Sequence, residues 1–254
     1  MKKTIATITC FTVLFFSCGQ QRGNDNINNQ TSVLDTLVAG NYILTFENTD
    51  SFSKNNAYED ENYRVELTKN IDDWEEANKK IQPYLQTKFG QYFITTNNSL
   101  TLKLDIGTTK TFTNISFENY NTDGVRYEFE NYYSSIDYYL INVSLWEGSY
   151  YLLVNRKNGS ATQINGLPYI SKDKKQILTI NTDLEANYTF NGLELYNILD
   201  DSLQMVFDKG TNWGPRNVKW ISENQFLLKR EHLNFETGSH SFDYKLVTIK
   251  KTNP

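Results

Sequence analysis

Apolar and polar positions alternate with a period of two along most of the chain from Asn41 onward, as in Tyr42, Leu44 and Phe46, in Tyr63, Val65 and Leu67, and in Leu100, Leu102 and Leu104. This period is that of strands with one buried face. One stretch departs from it. Ile71, Trp74, Ala77 and Ile81 recur at helical spacing, and Asp73, Glu75 and Glu76 stand where a helix N-terminus favours acidic side chains. The spacing predicts a helix from Asp72 to about Gln82, capped by Asn70 or Asp72, kinked or ended by Pro83, and pinned to a sheet by Trp74 and Ile81.

Beyond Phe89 strand follows strand, over Phe112 to Phe117, Val125 to Tyr132, Ile136 to Trp146 and Tyr150 to Val154. Asp123-Gly124, within Asn121 to Gly124, predicts a hairpin between two of these runs, and Lys157, Asn158 and Gly159 predict a second tight turn. Strands joined so closely pair as antiparallel meanders, which excludes the crossover units of an α/β fold. The pairs Tyr132/Tyr133, Tyr138/Tyr139 and Tyr150/Tyr151 place one ring on each face of a strand, so one ring of each pair faces solvent or a neighbouring sheet.

A repeat is visible in the C-terminal half. Tyr150 to Val154, Ala161 to Ile164, Pro168 to Ile170 and Gln176 to Ile180 form four short strands; Leu193 to Ile198, Leu203 to Phe207, Val218 to Ile221 and Gln225 to Leu228 form four more, offset by about 43 residues. In each unit the last two strands meet at a short polar turn, Ser171 to Lys175 and Ser222 to Asn224. The first of these resembles the Ser-Pro-Asp-Gly-Lys turn of bacterial β-propeller blades, with Lys172 and Lys174 in place of Pro and Gly. The run through Tyr169 to Lys175, Asp183 to Tyr188, Asn191 to Tyr196 and Trp213 to Trp220 resembles a group of uncharacterised bacterial, Bacteroidetes-like lipoproteins with blade-like repeats. That resemblance covers under a third of the chain and implies architecture without activity.

The expected fold is therefore all-β with one helix: antiparallel meanders in a partial or irregular β-propeller-like arrangement. The alternative is a twisted β-sandwich or barrel with the helix packed at one end. Residues 99–254 have room for three or four blades of about 40 to 45 residues. Residues 38–98 would supply N-terminal strands and the helix.

Met1 to Phe16 carries Lys2 and Lys3 followed by a short apolar run, which reads as an export signal over residues 1–17. It is too short to span a bilayer. Leu14, Phe15, Phe16, Ser17 and Cys18 resemble the lipobox of bacterial lipoproteins, with Phe15 and Phe16 departing from the usual residues, and this resemblance implies lipidation at Cys18. The Asn- and Gln-rich residues 18–37 read as a tether, with the folded part beginning near Val38. Loss of Cys10 with the signal leaves one cysteine, engaged by lipid, so disulfide, thiolate-metal and cysteine-nucleophile chemistry are excluded. Gly19 stands where Asp marks inner-membrane retention in enteric lipoproteins, and no acidic export cluster follows. The expected location is the periplasmic face of a Gram-negative outer membrane.

Leu, Ile, Val and Phe make up about 26% of the chain, enough for a core. Removing Lys2 and Lys3 takes the net charge from −5 to −7, which argues against nucleic acid. The two histidines, His232 and His240, sit eight apart in a polar hairpin region and read as surface-loop residues. No nucleophile elbow, phosphate loop or zinc-protease pattern is present. Asp183, Glu185, Asn187 and Asn191 place oxygen side chains at short intervals in one segment, a pattern that suits calcium or sugar hydroxyls, or that shapes a turn. Trp213, before Gly214 and Pro215, either stacks on a ligand or fills core. The expectation is a non-enzymatic binding or scaffold module without cofactor, anchored to the bilayer by an acyl chain, with a protein or glycan partner. A glycan hydrolase using Asp183 and Glu185, or an enzyme inhibitor or immunity protein, is the alternative.

Overall fold

The computed structural model describes residues 35–49, 67–68, 71, 73–118 and 122–252. Its strands form four antiparallel sheets. The first joins β3 (Phe93–Thr96), β4 (Ser99–Lys103) and β5 (Thr109–Thr113). The second joins β6 (Val125–Tyr133), β7 (Tyr138–Leu145), β8 (Ser149–Asn155) and β9 (Ala161–Ile164) in chain order. The third does the same with β10 (Leu167–Ile170), β11 (Gln176–Asn181), β12 (Gly192–Ile198) and β13 (Leu203–Gly210). In the fourth, β14 (Gly214–Trp220), β15 (Gln225–Asn234) and β16 (Ser239–Lys251) are extended by the N-terminal strands β2 (Tyr42–Asn48) and β1 (Asp35–Ala39), in the order β14-β15-β16-β2-β1. This is an all-β fold with one long helix among the described residues, built from blade-like meanders that do not close into a barrel.

Three apolar clusters separate four sheets. The helix α1 (Trp74–Phe89) lays Ile81, Leu85 and Phe89 among Phe93, Leu100 and Leu102 of the first sheet and Phe129, Tyr139 and Val143 of the second. Phe93 and Phe129 stack with ring centroids 4.2 Å apart. A second cluster joins Tyr133, Tyr138 and Leu140 to Ile177 and Tyr196 of the third sheet. A third joins Leu178, Leu193 and Leu195 to Leu44, Phe46, Val218, Phe226 and Val247 of the fourth. The Trp220 indole N–H donates to the Tyr169 carbonyl at 2.9 Å across this last interface.

The tyrosine pairs mark the sheet that is covered on both faces. Tyr132, Tyr139 and Tyr150 belong to the helix-side cluster, whereas Tyr133, Tyr138 and Tyr151 belong to the cluster facing the third sheet. The faces expected to meet solvent or a neighbour therefore meet a neighbour.

Several local expectations are corrected. Strand structure begins at Asp35 rather than Val38, and the division at residue 98 falls inside the β3–β4 hairpin, while β2 pairs with β16. The helix is capped by Asp73, whose Oδ1 accepts from the Glu76 N–H at 2.8 Å. It continues through Pro83 to Phe89, because Leu85 and Phe89 extend the buried stripe beyond the proline. The Trp74 side chain, and Tyr63 and Val65 of an expected strand, lie outside the described residues, while Leu67 of that strand is helical. The hairpin expected at Asp123-Gly124 is replaced by a single antiparallel bridge from Ile115, which follows β5 outside any sheet, to Val125 at the start of β6. The turn at Lys157 to Gly159 is present, with Gly159 at φ 72°. Asn155 shapes it by accepting the Lys157 N–H on Oδ1 at 2.8 Å.

The strands of the repeat are present, and its phase differs. β8 and β9 close the second sheet, β10 and β11 open the third, and β14 and β15 open the fourth, so the unit boundaries fall after β9 and β13. Gly166 sits at the first boundary. A side chain there would meet the Ile180 carbonyl oxygen at 1.8 Å, so the close crossing onto β11 requires glycine.

Candidate binding face

In each of the last three sheets the second strand turns into the third at the same end of the stack. These turns are β7–β8, the longer β11–β12 loop and the β15–β16 hairpin. Their neighbourhood is direct. A Cβ at Gly148 would lie 3.1 Å from Thr189 Cγ2, and Glu185 Oε1 lies 3.6 Å from His240 Nε2. Each turn presents one aromatic ring to solvent: Trp146 at 41%, Tyr188 at 71% and Phe235 at 77% exposure. Leu145 is exposed beside Trp146.

The β11–β12 loop at the centre is held from within. Asp183 Oδ1 accepts the N–H groups of Ala186 and Asn187 at 3.1 and 2.8 Å, and Oδ2 accepts the Thr189 N–H and hydroxyl at 2.7 and 3.0 Å. The Thr189 N–H above all holds this carboxyl below its usual range. Asn191 Oδ1 accepts the Asp183 N–H at 3.0 Å, while its Nδ2 donates to the carbonyls of Thr211 and Trp213 at 2.8 and 3.1 Å. Asn187 takes the left-handed conformation that the turn needs, at φ 53°.

Of the five residues expected to bind, three therefore act inside the protein. Asp183 spends its oxygens on the loop, which leaves calcium no preformed ligand there. Asn191 bolts the loop to the third-to-fourth sheet link. Trp213 is buried, edge-on to Phe46 with centroids 5.9 Å apart, and lies under the Arg230 guanidinium at 5.0 Å. Glu185 and Asn187 remain at the surface, together with Tyr188.

His232 and His240 lie on paired strands, on β15 and β16, rather than in a loop. Glu231 is nearly fully buried between Arg216 and His240. An ionised carboxylate only accepts, so His240 Nδ1 donates to Oε1 at 2.8 Å and Arg216 Nε donates to Oε2. Burial opposes ionisation of Glu231, and these two donors outweigh it, leaving its pKa lowered. Arg230 is also buried, donating to Asp243 through Nε and Nη2 at 2.8 and 2.6 Å and to Asp35 through Nη1 at 2.7 Å. Burial pushes Asp243 up, but the Arg230 hydrogen bonds bring its pKa down to about 2.

Arg216, Arg230 and Glu231 escaped the sequence reading. The signal available was charge within a strand otherwise alternating, as in Phe226, Leu228, Arg230, where the period places a cation on the buried face.

No protein-family model, curated protein or solved structure matches this chain.

Proposed function

We propose that this chain is a lipid-anchored binding module whose ligand is a glycan, taken up at the loop end of the stacked sheets. The observation that carries the reading is the row of exposed rings, Trp146, Tyr188 and Phe235, on equivalent turns of three successive sheets. Single exposed apolar residues need no explanation, but one aromatic per turn on three adjacent turns is a platform on which sugar rings can stack. Glu185 and Asn187 in the central loop add polar groups that can reach sugar hydroxyls. Because the loop is locked by Asp183 and Asn191, the platform is preorganised and loses little freedom on binding.

The lipobox-like stretch ending at Cys18 supports an acyl anchor, facing the periplasm from the outer membrane. A hydrolase built on Asp183 and Glu185 is not favoured, since the first carboxylate is taken up by its own loop and the second, exposed, lies beside His240 at 3.6 Å. Retention of the full chain on immobilised polysaccharides tests the reading: retention that depends on the three rings supports it, and retention indifferent to them refutes it.

A further inference from the structure

Next to the aromatic turns, where the second, third and fourth sheets meet, lies a cavity of about 260 Å³ lined by Tyr151, Tyr169, Asn181, Thr182, Pro215 and Arg216. Three independent features single out Arg216 within it. The first is backbone geometry. Pro215 pairs with Arg230 and Asn217 with Lys229, so Arg216 is the extra residue of a β-bulge, a device that re-aims a side chain away from the regular alternation. Next comes the way it is held. Among the described residues the guanidinium makes its hydrogen bond through Nε alone, to the buried Glu231, which His240 supports from its other oxygen. Its two terminal amino groups have no hydrogen-bonding partner among those residues, and the side chain is about half exposed. The third is company. Tyr151, Tyr169 and the polar Asn181 and Thr182 line the cavity, and Thr182 is fixed by donating its hydroxyl to the Pro215 carbonyl at 2.6 Å.

A guanidinium anchored on one edge and open on the other matches a carboxylate, which accepts two parallel hydrogen bonds from such a fork. Tyr151, partly exposed at the cavity wall, can pack against the apolar face of a pyranose, while Tyr169 is buried. The volume falls below the roughly 300 Å³ floor of drug-sized sites, so the cavity is scaled to one sugar ring rather than to an extended ligand. We propose that Arg216 forms a subsite for the carboxylate of a sugar acid, a uronic-acid-type unit, within the glycan bound at this end of the protein. The proposal rests on the glycan reading above and adds to it a charge requirement at one position. Because Glu231 already neutralises much of the Arg216 charge, recognition there is short-ranged and directional.

The test is a backbone-amide NMR titration of the full chain with methyl glucuronide, methyl glucoside and N-acetylalanine. Methyl glucuronide should shift the Gly166, Asn181 and Thr182 amides saturably in the millimolar range. Methyl glucoside, which lacks the carboxylate, should bind at least about tenfold more weakly, the loss expected when a charge-assisted pair goes unmade, and N-acetylalanine, which keeps the carboxylate, should bind more weakly because the ring contact is lost. Arg216→Gln should abolish the glucuronide shifts, and Arg216→Lys should weaken them by about as much as loss of the fork implies. Should Arg216→Gln fail to fold because Glu231 loses a partner, the comparison of three ligands on the unsubstituted chain decides the matter alone. Equal binding of glucuronide and glucoside, equal binding of N-acetylalanine, or shifts elsewhere in the protein would overturn the subsite. Retention of neutral polysaccharide through the aromatic turns without any response at Gly166 would overturn the subsite while leaving the glycan reading standing.

Discussion

The carboxylate of Asp35 lies 2.7 Å from Nη1 of Arg230, a residue 195 positions later, and so the first strand of the fold is tied by charge to β15 of the same sheet. Arg230 holds Asp243 with its other two nitrogens and covers the Trp213 ring, so a single buried cation links the N-terminal strand, the C-terminal hairpin and the link between the third and fourth sheets. Among the described residues, removing the cation leaves Asp243 only Lys245 and His232, each at 3.5 Å, and opens space over Trp213. Because both carboxylates left behind are partly exposed, Arg230→Ala should cost about 1 to 3 kcal/mol, the range for charge-assisted hydrogen bonds discounted for solvent. Urea denaturation measures it; a loss below about 1 kcal/mol would show that the clasp is ornamental.

The same clasp sets an acid limb. The folded-state pKa of Asp243 is about 2 against an ordinary 3.8, so the unfolded chain binds the proton first. The stabilisation is complete above about pH 4 and is lost as the pH falls through about 2. Asp243→Asn should flatten the fall in melting temperature across that window, and an unchanged slope would assign the acid limb to other carboxylates.

The central loop yields a paired prediction. Asp183→Ala removes four accepted hydrogen bonds from a partly exposed loop and should cost about 1 to 3 kcal/mol. Millimolar calcium should leave the melting temperature of the unsubstituted chain unchanged, since linkage requires a ligand that prefers the native state. A rise in melting temperature reversed by chelator would restore the cation site.

Tyr139 tests whether the second sheet is buried on both faces. Its ring is fully buried in the helix-side cluster and its hydroxyl donates to the Lys103 carbonyl at 2.6 Å. Tyr139→Ala should cost about 3 to 5 kcal/mol, as for other large core truncations, and Tyr139→Phe about 1 kcal/mol. Burial, followed by the Asp137 hydrogen bond, pushes the neighbouring Tyr132 up to about 12, so its phenol should resist ionisation until well above the ordinary 10. Ultraviolet titration of Tyr132→Phe against the unsubstituted chain reads this directly.

The period of two made the strands legible, and consecutive tyrosines marked strands with a ring on each face without deciding between solvent and a neighbouring sheet. What the pattern could not carry was the partner of each strand. Asn165-Gly166 looks locally like a hairpin turn, yet Gly166 is there for a close approach to Ile180, and the strands on either side belong to different sheets. The N-terminal strands posed the same difficulty at longer range, because nothing in Tyr42 to Phe46 announces Val247 as a neighbour. In the candidate site, Asp183 and Asn191 stood out by composition, but whether a carboxylate faces a ligand or its own backbone is decided by loop geometry. Arg216 owes its position to a bulge, which shifts the alternation that a sequence reading relies on.

Anchoring is tested separately from binding. Cys18→Ala should abolish metabolic palmitate labelling and leave an uncleaved precursor or a soluble protein; retained labelling would place the lipid elsewhere.

The most direct test of the account is a retention measurement on immobilised acidic and neutral polysaccharides, comparing the full chain with a variant carrying Trp146→Ala, Tyr188→Ala and Phe235→Ala. All three rings lie on exposed turns, so the melting temperature should hold within the small range of surface substitutions. The account predicts that the unsubstituted chain is retained and that the variant loses at least about tenfold in affinity, in line with truncation of aromatic anchors. A variant retained as well as the unsubstituted chain, or an unsubstituted chain that no polysaccharide retains, would contradict it.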